Sequence, residues 1–300
     1  MPRLTIGLPV YNGAELLGRS LDRLLAQTFT DFVLDINDNA STDATADICA
    51  DYARRDPRVR VHRNTTNVPW HRNFGTVLAR ADTPYFMWAT HDDLWAPRFA
   101  EANIAELDAH PEAVCSVSKI IYFTLEGQRD VAPDTQPLHG IPAARIKTLL
   151  ATMHNCGRLY GVYRTDILKR SFPGDVSIYG FDWLVVALTL LYGDHLEVPE
   201  VLLEREAQSY GHYVRRFGKT DRFAPDLLDW IVPLRGFDRE LHRRIPAEVW
   251  SEIRGALYYL NLRQSALMLE GRLPMVGPLT RPVRTLVANM FHRRWRQAGS

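Results

Sequence analysis

The chain has 300 residues, enough for one large domain or two ordinary ones. It is 46% hydrophobic and 24% charged, a globular balance that excludes long disorder. Lys+Arg 36 against Asp+Glu 35 leaves a formal net charge of +1, so bulk charge makes no case for nucleic acid as a partner.

The first 120 residues alternate between strand and helix. Residues 5–10 form a short apolar run that ends in turn residues, a buried strand. Leu16, Leu17, Leu21, Leu24 and Leu25 then recur at helical spacing. Residues 32–36 are the second strand, and Ser41-Thr42-Asp43 reads as an N-cap before the second helix. Strands at 59–61 and 85–89 alternate with helices at 70–81 and 97–110. This order predicts a mostly parallel sheet flanked by helices, with ligands at the carboxyl ends of its strands. Further on, residues 114–123 predict one or two strands, 128–142 a Pro-rich loop, 159–163 a strand and 181–192 a helix. From about residue 220 the pattern is helical. The expected division is an α/β domain over 1–215, split into halves 1–115 and 116–215, with a helical C-terminal extension over 216–300.

Gly13 to Ser20 fits a phosphate-loop spacing with Arg19 in place of Lys. An apolar stripe through Leu16, Leu17 and Leu21 predicts that a helix already occupies this stretch, and Glu15 would repel a phosphate. A phosphate loop is therefore not expected. No Gly-rich dinucleotide fingerprint follows the first strand either.

Carboxylates gather where the strands end. Asp38 closes the second strand, and Asp92 and Asp93 follow the fourth. Adjacent carboxylates repel unless a cation joins them, and hard oxygen ligands suit Mg²⁺ or Mn²⁺. Such a metal completes its shell with water and substrate phosphates, so a phosphorylated ligand is expected. For Asp92 and Asp93 alone, favourable acids at a helix N-terminus remain the alternative.

Several segments together resemble the family 2 inverting glycosyltransferases, which have the GT-A nucleotide-diphospho-sugar transferase fold. They are Leu8-Pro9-Val10-Tyr11-Asn12-Gly13, Gln27-Thr28-Phe29-Thr30-Asp31-Phe32, Asp38-Asn39-Ala40-Ser41-Thr42-Asp43 and Thr90-His91-Asp92-Asp93. The third is similar to that family's Asp-Asp-Gly-Ser-Thr-Asp signature, and the fourth occupies the place of its DxD motif. The resemblance implies that Pro9, Tyr11 and Asn12 line a nucleotide pocket, with Asp38 and Asn39 facing base and ribose. It implies Asp92 as metal ligand, with Asp93 as a supplement, His91 at the middle position of the motif, and Arg72 on the diphosphate. Thr90 stands in place of the first DxD carboxylate, and Asn39 in place of the second signature Asp. Asp182 is the implied general base, with Phe181 where the family often carries Glu. The implied donor is a UDP- or TDP-sugar, and the implied acceptor a saccharide or lipid-linked hydroxyl in cell-surface polysaccharide or glycolipid synthesis. Two alternatives stay open: a catalytically weakened nucleotide-sugar-binding protein, and a sugar-1-phosphate nucleotidylyltransferase.

Other residues read less sharply. His154 and His212 lie on expected loops, and Trp88 and Trp95 flank Asp92, where core packing competes with sugar stacking. Residues 271–300 hold six Arg and no Asp, Glu or Lys, and 282–295 is amphipathic at helical spacing. That segment could dock on the domain, lie on an anionic membrane or pair with a second copy. Three cysteines without a CxxC motif fit a reducing compartment. The N-terminus lacks a signal-peptide pattern, and the longest apolar run, 183–192, is too short to span a bilayer. The expected location is cytoplasmic, with peripheral contact at the inner membrane face as an open addition.

Overall fold

The computed structural model describes residues 2–124, 127–153, 156–206 and 232–272, together with Pro282. They fall into two compact units, dividing near residue 207, with Ile178–Gly180 belonging to the second.

The first unit is built on one sheet. Strand β1 (Leu4–Val10) is buried along its whole length between β2 (Phe32–Asp38) and β4 (Tyr85–Trp88). Strand β3 (Val59–Arg63) pairs with β2 and forms the edge. These four strands are parallel, and the inner strands β1 and β2 are buried at every residue, including Asp35, Asn37 and Asp38 of β2. The crossovers are α1 (Ala14–Leu25), α2 (Thr45–Arg55) and α3 (Trp70–Arg80). Helix α1 starts one residue after Gly13 and buries Leu17, Leu21 and Leu24, so no phosphate loop exists there. Pairing of β1 with β4 ends at Gly7, whereas pairing with β2 continues to Val10. The strand order switches here, the place where ligands settle in open α/β sheets.

The remaining elements of this unit are β5 (Leu94–Trp95), α4 (Phe99–Ala109), β6 (Ala113–Phe123), β7 (Arg129–Val131), α5 (Pro142–Thr152), a 3₁₀ turn (Gly157–Tyr160), β8 (Val162–Arg164), α6 (Thr165–Ser171), α7 (Phe181–Thr189) and β9 (Asp194–Glu206). The strand order is β3-β2-β1-β4-β8-β6-β9-β5, with β7 on β6. Strand β8 runs antiparallel to both β4 and β6, and β5 antiparallel to β9. Strand β6 pairs parallel with β9, so the sheet is mixed, parallel in the first half and combining parallel and antiparallel pairs beyond β4. The core gathers Leu4, Ile6, Leu8, Leu34, Ile36, Trp95, Phe99 and Ile120.

Three stretches differ from expectation. The strand expected at 159–163 is a 3₁₀ turn followed by a three-residue strand. Cys156 enters that turn with φ 49°, and a Cβ at Gly157 would lie 2.6 Å from Ile120 Cδ1. Helix α5 and the 13-residue β9 were not expected. Pro199 interrupts the β9 run, but the pairing with β6 jumps from Val198 to Val201, so the proline sits in an irregularity where its missing N–H costs no ladder bond.

The second unit contains α8 (Arg235–Arg244) and α9 (Ala247–Arg272), helical as expected for the C-terminal region. Phe237, Leu241, Ile253, Leu257 and Leu260 are buried. Asn261 donates to Asp238 Oδ2 at 2.9 Å and accepts from the Leu234 N–H at 3.1 Å, which satisfies a buried amide. Among the described residues, no helix is long and apolar enough to cross a membrane.

Candidate active site

Two loops interlock at the carboxyl ends of β1 and β2. Asn12 takes φ 48°, a conformation Asn tolerates, and accepts from the Thr42 N–H at 2.8 Å. In return its own N–H donates to Ser41 Oγ at 2.9 Å. Asp43 and Thr45 accept from the N–H groups of Ala14 and Gly13, which α1 leaves unpaired. The 38–45 loop thus caps α1 from a distance and fixes Tyr11 at the mouth, 43% exposed. Pro9 is buried in β1 below it.

Ala40 stands at the position where the family signature has Gly, with φ 59°. An L side chain is strained there. Ala40→Gly is expected to raise stability by about 1 kcal/mol, since relief of strain outweighs glycine's entropy cost. Urea unfolding checks this, and a lower midpoint would show the strain to be absent.

Asp38 is 1% exposed. Its Oδ1 accepts from the Ser41 N–H at 2.9 Å. Its Oδ2 lies 3.3 Å from Arg63 Nε but makes no hydrogen bond there. A buried carboxylate oxygen left this way can accept from a ligand. Arg63 also donates to the Ser41 carbonyl at 2.7 Å, so it closes over Asp38 from the β3 edge.

Asn39 is engaged differently from the expected base contact. Its Nδ2 donates to the Val68 carbonyl at 2.7 Å, and its Oδ1 accepts from the Val68 N–H at 3.0 Å and Asn64 Nδ2 at 2.8 Å. The amide therefore pins the 64–68 loop, using both donor and acceptor against the backbone of one residue, Val68. Restoring the family's acid here would put two acceptors face to face. Asn39→Asp is expected to cost about 1–3 kcal/mol, the penalty of unpaired buried polar groups. Thermal unfolding at pH 7 reads it, and an unchanged midpoint would remove Asn39 from this role.

The Thr90–Asp93 turn follows β4. The His91 ring lies against Gly13, where an added Cβ would come within 2.8 Å of it, so this turn abuts the β1 loop. His91 and Asp92 are partly exposed, whereas Asp93 is 2% exposed. Thr90 Oγ1 donates to Asp93 Oδ2 at 2.5 Å, and Arg205 Nε lies 3.1 Å from Oδ1 and 3.0 Å from Oδ2. The Arg205 guanidinium carbon sits 3.6 Å from the Tyr160 ring centre. Burial pushes the Asp93 carboxyl up, while Arg205 and the Thr90 hydroxyl pull it back. Burial likewise opposes the Arg205 charge, yet Asp93 holds the guanidinium well above its usual range. The geometry therefore gives Asp93 an internal ion partner, in contrast to its expected part as a supplementary metal ligand. Thr90 acts as a clamp on Asp93.

Asp182 occupies the first turn of α7 and is partly exposed. Burial pushes its carboxyl up to about 6, against the pull of the Trp183 N–H, the Cys156 thiol and the Arg205 charge. Phe181, in place of a family Glu, is 3% exposed and packs on Trp70, His71 and Phe172. That aromatic cluster anchors the N-terminus of α7 where a carboxylate would be stranded.

Other expected residues fall elsewhere. Arg72 donates from Nε to Asp175 Oδ1 at 2.6 Å and from Nη2 to Oδ2, with His71 sharing the carboxylate at 3.3 Å. It ties α3 to the 175 loop, so its expected diphosphate contact would first require breaking that pair. Trp88 and Trp95 are fully buried, and Trp95 packs edge-on against Phe99 at 4.8 Å. His154, His212 and the 283–295 part of the amphipathic segment lie outside the described residues. Arg205 and Tyr160 were not singled out from sequence. The antiparallel pairing Leu94↔Glu204 carries Asp93 to the position opposite Arg205, a register invisible before β9 is known.

Among the described residues, no three His, Cys, Asp or Glu side chains converge as a metal cage. The donor set instead fits a cation held by one protein carboxylate, Asp92, and completed by ligand oxygens and water, as Mg²⁺ and Mn²⁺ sites on phosphorylated ligands often are.

Comparison with known proteins agrees with this architecture. Residues 5–172 match the family model described as Glycosyl transferase family 2. The uncharacterized protein Rv1520 of Mycobacterium tuberculosis is 35% identical over 206 residues, 67% of this chain and 58% of that protein. The chain thus spans well under two thirds of that relative's length. Among solved structures, residues 1–349 of Staphylococcus aureus TarS in complex with UDP-GlcNAc superpose with TM-score 0.58 at 16% identity, covering 99% of this chain and 92% of that one. The Pyrobaculum calidifontis mannosyltransferase PcManGT, in complex with GDP-Man and Mn²⁺, gives TM-score 0.59 at 16% identity, covering 100% and 81%. The fold is therefore GT-A, and with its family model matched over more than half its length the chain belongs to glycosyl transferase family 2.

Proposed function

We propose that the chain is a metal-dependent inverting transferase that moves a sugar from a nucleotide-diphospho-sugar to an acceptor hydroxyl. One observation carries this reading. The His91 ring of the Thr90–Asp93 turn packs against Gly13 of the β1 loop, and that loop interlocks with the loop after Asp38, so the candidate metal carboxylate Asp92 stands beside the candidate nucleotide loops.

The chain's residues divide the work. Tyr11 is exposed for stacking on a base. The Oδ2 of Asp38, ion-paired with Arg63 but without a hydrogen bond, is the acceptor we assign to the imide N–H of uracil or thymine in place of Asn39, which favours a UDP- or TDP-sugar. Asp92 would hold Mg²⁺ or Mn²⁺, and a bound cation there supplies positive charge against the departing diphosphate. Asp182 accepts the acceptor's hydroxyl proton while that oxygen bonds to the anomeric carbon. The bond from the anomeric carbon to the diphosphate breaks, and its electron pair leaves with the nucleoside diphosphate. Family membership alone supports a saccharide or lipid-linked acceptor in surface polysaccharide or glycolipid synthesis.

The test is to incubate the protein with UDP-, TDP- and GDP-sugars, Mn²⁺ and a saccharide panel, then assign product configuration by NMR. An inverted anomeric centre is expected. Retention would overturn the single-displacement mechanism, and nucleotide binding without turnover would favour the binding-protein alternative.

A further inference from the structure

Asp93 and Arg205 sit 112 residues apart in sequence and face each other because β5 and β9 pair antiparallel at Leu94↔Glu204. Opposite charges at facing positions stabilise such pairs. Here Asp93 is buried, with its side chain 2% exposed, and Arg205 is largely covered, with its side chain 15% exposed. Thr90 and Arg205 satisfy both Asp93 oxygens, and Tyr160 lies under the guanidinium. A planar fork can pair with a carboxylate and stack on a ring together, which an ammonium cannot match. Between the two residues this lock engages, Thr90 and Asp93, lie His91 and Asp92, both partly exposed, whereas Asp93 is buried.

We propose that Arg205 is a positioning residue for the donor site: stacked on Tyr160 and paired with Asp93, which Thr90 also holds, it fixes the turn that presents Asp92 at the rim. The proposal rests on the functional reading of Asp92 above. It also accounts for Thr90 as the clamp partner of Asp93.

The experiment compares Arg205→Met with wild type in the full chain by two readouts. Amide hydrogen exchange reports the turn directly, and calorimetry with UDP and Mn²⁺ reports the donor site. In the variant, exchange across His91, Asp92 and Leu94 is expected to rise at least about tenfold, as for a locally opened segment. Affinity for UDP with Mn²⁺ is expected to fall about 10- to 100-fold, as when a residue behind a metal ligand is lost. The donor KM should rise while the acceptor KM stays put, which a mere loss of folded protein would not produce. If removal of Arg205 prevents folding, Arg205→Lys, which keeps the charge and loses the stacked fork, is read by the same criteria. Unchanged exchange in a folded variant overturns the proposal. Faster exchange with wild-type affinity also overturns it, because the ion pair would then be structural only. A wild type that binds neither UDP, TDP nor GDP with Mn²⁺ refutes the functional reading instead, and exchange alone then decides whether Arg205 holds the turn.

Discussion

Asp182→Asn is expected to lower kcat by about 10³-fold, the middle of the range for loss of a positioned general base. The amide keeps the shape of the side chain and can still accept from the Trp183 N–H at 3.0 Å. It cannot take a proton from an acceptor hydroxyl. UDP or TDP affinity should stay near wild type, because the nucleotide loops lie at the ends of β1 and β2. The same substitution should stabilise the fold. Burial raises the Asp182 carboxyl to about 6. Against an unfolded value near 3.9, that corresponds to at most about 3 kcal/mol of cost for the ionised group at neutral pH. An ordinary helix-start acid would behave the other way and lose stability when neutralised. Steady-state turnover and thermal unfolding of the one variant therefore separate the two roles. Unchanged turnover removes Asp182 from the chemistry.

The pH dependence follows with a definite sign. The folded-state value of Asp182 lies above its unfolded value, so the protonated form favours folding. That contribution is fully present below about pH 4 and is lost as pH rises through about 6. The midpoint difference between variant and wild type should therefore vanish near pH 4 and reach its full size by about pH 7. Activity runs in the opposite sense, because the base works only when ionised. Wild-type kcat/KM should rise with a limb near pH 6, and that limb should be missing from the residual rate of the variant. The same burial that costs stability tunes the group to accept a proton near neutrality.

The first half of the fold was legible because its signals are local. Strands β1 and β2 are buried on both faces, their apolar residues cluster at local strand spacing, and α1 shows its stripe in five leucines. The second half obeys long-range constraints. Strand β9 alternates acids with apolar residues and carries Pro199, and only the irregular pairing with β6 makes it a strand. Helix α5 follows a Pro-rich loop, and Pro142 at its first position is a helix-start signal that the surrounding prolines mask. The 159–163 segment is apolar enough for a strand, but Gly161 is pressed against the Ser116 carbonyl, where a Cβ would approach to 2.7 Å.

The site divides in the same way. Asp38, Asp92 and Asp182 stand at strand or helix ends that sequence could locate. The state of each carboxylate was not legible, because it depends on partners far along the chain. Asp93 meets Arg205, Arg72 meets Asp175 across 103 residues, and Asn39 meets Val68. Two acidic neighbours in a sequence look equivalent. Register gives one of them a buried counter-ion and leaves the other at the surface.

That asymmetry sets the second large effect. Asp92→Ala should abolish the gain in UDP or TDP affinity that Mn²⁺ brings, a loss of at least about 100-fold, since a direct ligand should count for no less than a residue behind one. Without metal, variant and wild type should bind alike. The fold should hardly change, because Asp92 is partly exposed and no described hydrogen bond depends on its side chain. Asp93→Asn should give the reverse pattern. It leaves the Arg205 charge buried without its partner, at a cost of about 3–5 kcal/mol. Binding by whatever remains folded should still respond to Mn²⁺, because Asp92 is intact. Calorimetry of both variants with and without Mn²⁺, beside their urea midpoints, gives a two-by-two comparison. A Mn²⁺ response that survives in Asp92→Ala and disappears in Asp93→Asn would exchange the two assignments. The buried, ion-paired carboxylate would then be the metal ligand, and Arg205 would have to release it on binding.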